Sequence, residues 1–284
     1  MRWMSFEYQG NKSYGFVDNS SVVDVGSTHP DVDLRTFIAH SDNYQLTNIS
    51  GESVFKRYDL SEVKFLPPIP NPDKILCVGL NYRDHQHETG RGGEAYPTIF
   101  TRFACVQVGH KDHLILPKES YTLDYEGEIA LVIGKRGRHI SKHDYLDHVA
   151  GFSCYNDATV REYQRHTSQF TAGKNFMATG GFGPWIVTPD EVGDLNTLEL
   201  STYLNGERMQ YGKSSDLVFG FGELVEYCST FVELEVGDVI VTGTPGGVGF
   251  ARQPPIYLKT GDTVEIEISN VGRLQNRVTD AKAT

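Results

Sequence analysis

The chain has 284 residues, and 26 Lys+Arg against 37 Asp+Glu leave a formal charge of −11. That length corresponds to one large domain or one domain with a small appendage. With 39% apolar and 22% charged residues, disorder as the main state is excluded. The acidic balance argues against a protein that grips phosphate backbones, so no nucleic-acid partner is expected. The longest apolar runs, such as Ile129-Ala130-Leu131-Val132-Ile133, fall far short of the roughly 18 residues of a spanning helix, so no membrane partner is expected either. The N-terminal residues hold no apolar h-region. Cys77, Cys105, Cys154 and Cys228 form no CxxC pair, which favours reduced thiols and a cytoplasmic location.

The first 65 or so residues read as short strands at 13–17 and 21–25, parted by the turn-forming Asp18-Asn19-Ser20, with a helical turn or two at 33–39. Four prolines then fall between Phe65 and Pro72. Proline fixes φ and removes a donor, so this stretch is neither helix nor central strand. The expected division is a small N-terminal domain at 1–66, a Pro-rich linker at 67–73 and a main domain at 74–284. Further strands are expected at 74–79, 123–134, 149–155, 198–204, 239–242 and 263–268. Asn205-Gly206 after the fourth of these is a strong hairpin signal. Candidate helices lie at 82–88, 142–147 (capped by Ser141), 159–169 and 215–229. Strands outnumber helices and βαβ alternation is absent, so the chain reads as α+β, mainly β.

Several tempting motifs fail. The run from Gly206 to Gly212-Lys213-Ser214 has five residues between its glycines where a phosphate loop needs four. The glycine-rich Gly243–Gly249 lacks dinucleotide-binding spacing and opens no helix. HExxH and G-x-S-x-G are both missing.

The informative segment begins Leu123-Asp124-Tyr125-Glu126-Gly127-Glu128 and runs into the apolar residues 129–133. On one continuous strand Asp124, Glu126 and Glu128 share a face. Such a row is either a solvated edge or a neutralised site, and the apolar run that follows indicates burial on both faces. An oxygen-rich cluster without His or Cys suits Mg²⁺ or Mn²⁺, with Ca²⁺ a further option. Asp157 reads either as a helix N-cap or as a third carboxylate. Lys174, next to Gly173, is either a surface lysine or a cation beside a ligand.

Taken in order, six segments carry a resemblance: Gly79-Leu80-Asn81-Tyr82-Arg83-Asp84-His85, Asp124-Tyr125-Glu126-Gly127-Glu128, Asn156-Asp157 with Arg161 and Gln164, Gly173-Lys174-Asn175-Phe176, Gly183-Pro184-Trp185, and Thr242-Gly243-Thr244-Pro245-Gly246-Gly247-Val248-Gly249. Together they resemble the fumarylacetoacetate hydrolase superfamily over about residues 74 to 268. The resemblance implies a mixed β-roll, usually homodimeric, with a divalent metal held by Glu126, Glu128 and Asp157. Asp124 falls outside that triad and supports the site. The same resemblance makes Lys174 the cation facing developing negative charge, has Arg161 and Gln164 line or brace the pocket, and has Thr244 contact a substrate carboxylate or carbonyl. His85 and Glu88 match the family's His-x-x-Glu pair on a short helix over the metal. Their i, i+3 spacing puts both on one helix face, with Arg91-Gly92-Gly93 as a hinge. Arg102 stands where relatives commonly carry lysine, and its planar fork suits a substrate carboxylate. The polar segment 165–172 is expected to contribute to substrate choice.

The expected reaction is metal-assisted hydrolytic C–C cleavage of an acylpyruvate-type diketo acid, with His85, Glu88 and Lys174 as the catalytic groups. Hydration, isomerisation or decarboxylation of a 2-oxo diacid on the same scaffold is the alternative, and a non-catalytic metal-stabilised binding domain a more distant one.

Overall fold

The computed structural model describes residues 1–40, 55–93 and 95–281. The apolar run after the acidic segment becomes the strand Gly127–Ile133, in which every residue is buried. Its side chains alternate between two cores. Ile129, Leu131 and Ile133 join one cluster with Leu200, Ile266, Ile268 and Leu274, while Ala130 and Val132 join another with Trp3, Tyr14, Phe16 and Leu34. Burial on both faces explains why this strand reads as a continuous apolar run. Each such aliphatic side chain taken fully from water contributes about 1.5–3 kcal/mol.

This strand lies inside a twelve-stranded sheet. Val149–Asp157 pairs it antiparallel on one side, and Val239–Val241 does so on the other. Beyond Val239–Val241 come Ile75–Gly79, in parallel, and Thr98–Arg102. Beyond Val149–Asp157 comes Gly180–Val187, followed by the N-terminal strands Arg2–Tyr8, Asn11–Asp18, Ser21–Asp24 and Lys56–Asp59. A five-stranded sheet of Glu207–Lys213, Glu199–Leu204, Thr263–Ile268, Gly272–Asp280 and His113–Leu116 packs over it. The two sheets approach closely at Gly127, where a Cβ would meet the Thr202 hydroxyl at 2.1 Å. The result is a mainly β, α+β fold with mixed sheets, as expected.

The N-terminal strands are joined to the large sheet through Arg2–Val187 and Trp3–Ile186 pairing. The proline-rich stretch lies against them, with the Ser5 hydroxyl donating to the Pro68 carbonyl at 2.8 Å and Ile69 fully buried. The expected N-terminal unit includes residues 41–54, which lie outside the described residues.

Four expected elements differ. The strand expected at 123–134 breaks at Tyr125 and Glu126, because the Asn156 side chain accepts the Glu126 N–H at 3.0 Å in place of a ladder bond. Leu123–Asp124 pairs instead with Thr159–Val160. That pairing shortens the helix expected at 159–169 to the single turn Arg161–Gln164. Near residue 142 the Ser141 hydroxyl accepts from the His143 N–H, a local turn that competes with helix, and only the 3-10 turn Tyr145–His148 forms. The helix expected at 215–229 starts after Gly220, at Phe221–Phe231, with Glu223 accepting the Gly220 N–H.

His110 lies where the N-terminal strands meet the smaller sheet. Its ring packs edge-on against Phe65 at 4.8 Å, and Nδ1 accepts the Gln275 N–H at 3.1 Å. Burial, reinforced by Lys111, depresses its pKa to about 4. Between that value and about 6.5 the unfolded chain binds the extra proton, so His110 stabilises the fold above about pH 6.5 and that contribution is lost as pH falls towards 4. Chemical denaturation at stepped pH should therefore show wild type losing stability more steeply than His110→Gln in this window, by up to about 1.4 kcal/mol per pH unit. Parallel curves would refute the assignment.

Candidate active site

The break after Asp124 decides how the acidic residues are used. Asp124 does not join Glu126 and Glu128 on one strand face. It is fully buried, accepts the Gly249 and Phe250 N–H groups at 2.9 and 3.0 Å, and pairs with Arg161 Nε at 2.8 Å. Asp157 ends the strand Val149–Asp157 beside them, and the N-cap of the following turn is Val160. Asp157 is thus a buried carboxylate of the site and not a cap. Single oxygens of Glu126, Glu128 and Asp157 lie within 4.8 Å of one another, and all three residues are buried.

Three buried cations compensate these acids. Lys174 Nζ donates to Glu126 Oε2 at 2.6 Å and to Asp157 Oδ2 at 2.5 Å. Arg161 Nη1 reaches Glu126 Oε1 at 2.6 Å. Arg102 Nη1 reaches Asp157 Oδ1 at 2.7 Å, and its other end donates to the Thr179 hydroxyl. Among the described residues the balance in this cluster is four carboxylates to three cations, and Glu128 is the acid without a cationic partner. Among them its hydrogen bond is from the Gly243 N–H, at 2.5 Å, in a turn whose φ of +103° favours glycine.

Burial and the neighbouring Asp157 and Glu126 charges push the Glu128 carboxyl well above its usual range. Burial would also raise Glu126, but Arg161 and Lys174 outweigh it and hold that carboxyl at about 2. Burial opposes the Lys174 charge, and Asp157 with Glu126 more than restores it. A buried carboxyl that burial and its acidic neighbours keep from ionising, set among hard oxygen donors with no His or Cys in the cluster, fits a divalent cation of the Mg²⁺ or Mn²⁺ type, whose charge would let it ionise.

The cluster forms one wall of a cavity of about 640 Å³. His85, Thr89, Glu126, Glu128, Arg161, Gln164, Lys174 and Thr244 all line it. Arg102 is not among the lining residues and is directed at Asp157, so it acts on the site from behind the carboxylates. His85 and Glu88 lie on the short helix Arg83–Thr89, with Nδ1 of His85 3.0 Å from Glu88 Oε2.

Two carboxylates moor this helix to the glycine-rich turn. Asp84 accepts the Gly246 N–H at 3.0 Å, and Glu88 accepts the Gly247 N–H at 2.9 Å. The Asp84 contact was missed in the sequence, although its i, i+4 spacing from Glu88 signals a shared helix face. Gln210 was missed too. It accepts the Gly127 N–H and donates to the Thr244 hydroxyl and the Pro245 carbonyl, joining the smaller sheet to the site. Thr244 in turn donates to the Gly127 carbonyl at 2.9 Å.

A mixed β-roll with a buried carboxylate triad, a buried lysine and a histidine–glutamate pair around one cavity defines a class of metal-assisted enzymes. The chain belongs to the fumarylacetoacetate hydrolase family: the model of the fumarylacetoacetate (FAA) hydrolase C-terminal domain matches residues 74–279. Among curated relatives, oxaloacetate tautomerase FAHD2B, mitochondrial, of Bos taurus is 45% identical over 220 residues, covering 77% of this chain and 70% of the relative. Oxaloacetate tautomerase YisK of Bacillus subtilis is 43% identical over 226 residues, covering 78% and 75%. Among solved structures, maleylpyruvate hydrolase from Sphingobium sp. SYK-6, in complex with manganese(II) and pyruvate, superposes with a TM-score of 0.84 at 26% identity, over 99% of this chain and 100% of that one. The protein is therefore an enzyme of this family with a small-molecule substrate. Among the described residues no helix is long and apolar enough to cross a membrane.

In chelator-treated protein, Glu128→Gln should raise the melting temperature near neutral pH, because folding must otherwise protonate that buried carboxyl or bury its charge, and either costs stability above the ordinary carboxylate range. Added Mn²⁺ or Mg²⁺ should raise the melting temperature of wild type, by roughly 5 °C once the ion is well above its Kd, and leave the variant unchanged. An equal metal response in both proteins would remove Glu128 from the ligand set.

Proposed function

We propose that this enzyme is an isomerase of 2-oxo diacids that interconverts the enol and keto forms of oxaloacetate. The observation that carries the reading is the placement, around one cavity, of a proton-transfer group, a buried ammonium and a carboxylate triad. The two oxaloacetate tautomerases at 45% and 43% identity support it over C–C hydrolysis, and the alternative reading of the sequence becomes the leading one.

Ketonisation of an enol removes the proton on O2 and delivers one to C3. Glu88 accepts from His85 Nδ1, which leaves Nε2 as the ring atom that takes up or delivers a proton at the cavity wall. The mooring of Glu88 to Gly247 fixes the orientation of that ring. Lys174, kept charged by Glu126 and Asp157, stabilises the negative charge that grows on the substrate oxygen. A divalent ion held by Glu126, Glu128 and Asp157 supplies Lewis-acid stabilisation of the same charge when bound. Arg102 acts through Asp157 as a positioning residue. Arg161 and Gln164, joined at 3.1 Å, form the wall that aligns the acid head.

Hydrolysis of an acylpyruvate is the second reading. It needs the same enolate stabilisation plus a water activated by His85, and the maleylpyruvate hydrolase neighbour supports it.

Freshly dissolved oxaloacetate, followed by its ultraviolet enol absorbance, separates the two readings. Mn²⁺-loaded protein should bring the tautomers to equilibrium far faster than buffer, and His85→Asn should lose about 10²–10⁴-fold of that rate. Relaxation at the buffer rate, together with cleavage of fumarylpyruvate, would transfer the assignment to hydrolysis.

A further inference from the structure

We propose that Arg165, stacked with Arg161 on the ring of Phe250, forms a subsite for the distal carboxylate of the substrate and selects diacids over their neutral-ended analogues. This rests on the 2-oxo diacid reading above and extends it to the end of the substrate remote from the chemistry.

All three side chains line the cavity. The Arg161 guanidinium lies 4.4 Å from the centre of the Phe250 ring, and the Arg165 guanidinium lies 4.6 Å from the same centre. The two differ in what they have left to give. Arg161 is buried and holds Asp124 and Glu126 through Nε and Nη1, yet its Nη2 is buried with no hydrogen-bond partner among the described residues. A buried guanidinium donor left unmet costs free energy that a ligand oxygen would recover. Arg165 is exposed, and among the described residues no carboxylate pairs with it.

Two guanidiniums sharing one aromatic ring repel each other, and only the charge of Arg161 is neutralised by the protein. The ring face holds Arg165 in place through cation–π attraction, so little of its side-chain freedom is lost when an anion arrives. A planar fork presented this way matches a carboxylate. Thr167 and Ser168, on the same polar segment, line the cavity beside it. Arg161 stands between the two parts of the cavity, stacked on Phe250 on one side and paired with Glu126 on the other, and the wall beyond it, with Glu126 and Glu128, repels a second acid group. A 2-oxo diacid therefore has one orientation that satisfies both ends: its 2-oxo acid head towards Lys174 and its distal carboxylate towards Arg165.

The test uses the full chain loaded with Mn²⁺ and three probes: radiolabelled oxalate, which has no distal arm, oxaloacetate, and the 4-amide of oxaloacetate, which replaces the distal carboxylate by a neutral group of the same shape. Affinities are read by displacement of oxalate. Wild type should favour oxaloacetate over the amide by about tenfold or more, and Arg165→Leu should bring that ratio close to one while leaving oxalate affinity unchanged. Arg165→Lys should regain part of the ratio. A wild-type ratio preserved in Arg165→Leu, or a parallel loss of oxalate affinity that marks a merely structural role, would overturn the subsite. Discrimination that depends on Arg165 in a protein that fails to accelerate tautomerisation would overturn the tautomerase reading and leave the subsite standing.

Discussion

Four carboxyl groups and three cations are buried side by side beneath one cavity, and the rest of the structure is arranged around compensating them. Desolvation of an isolated carboxylate costs far more than any single packing contact returns, so each acid needs donors close at hand. Asp124 takes two backbone N–H groups and Arg161, Glu126 takes two cations, and Asp157 takes Lys174 and Arg102. Among the described residues, Glu128 alone of the four is left with a single backbone donor. The cluster is thereby suited to a divalent ion by one acid that lacks a cationic partner among the described residues as well as by the proximity of three oxygens. Replacing Arg102 with a neutral residue would change the charge balance at Asp157 without touching the cavity wall.

Holding so many charges in register demands rigid backbone from several directions. Gly127 lets the smaller sheet come close enough for Gln210 to cross to the Gly127 N–H and the Thr244 hydroxyl. The turn after Val239–Val241 then supplies Gly243 to Glu128 and, a few residues on, Gly246 and Gly247 to the helix that carries His85. One glycine-rich turn therefore ties Glu128, the proposed metal ligand, to the helix of His85, the proposed proton-transfer group. Movement of the Arg83–Thr89 helix has to break the bonds from Asp84 and Glu88 to that turn, so displacing the helix also loosens the orientation of the His85 ring.

The sequence made much of this legible, for reasons that differ by residue. The strand Gly127–Ile133 was readable because burial on both faces leaves an unbroken apolar run. The His85–Glu88 pair was readable because helical spacing alone places both on one face. The triad was not readable from spacing: periodicity aligned Asp124 with Glu126 and Glu128, whereas the chain breaks between them once the Asn156 side chain replaces a ladder bond. Only the family resemblance singled out Asp157 as the third acid. The role of Arg102 depended on a partner 55 residues away in sequence, and nothing local marks whether a guanidinium meets a substrate or a buried aspartate. Arg165 belonged to a segment expected to influence substrate choice, but its significance lies in sharing Phe250 with Arg161, a contact between residues far apart in the chain.

The net charge of −11 opposes the approach of the dianionic substrate proposed above. At physiological ionic strength the field of the outer surface is screened within about 8 Å, so distant acids contribute little inside a cleft. What a substrate meets there is set by the groups on the wall, and low-dielectric walls concentrate their field. Within the cavity the inner carboxylates are largely spent on Arg161, Lys174 and Arg102, while Arg91 and Arg165 line it without an acid partner among the described residues. On the proposed reading, the enolate-stabilising groups at Lys174 serve several reactions alike. Discrimination between one 2-oxo acid and another then falls to the remote end of the substrate, and the guanidinium of Arg165 on Phe250, with no acid partner among the described residues, favours an anionic group there.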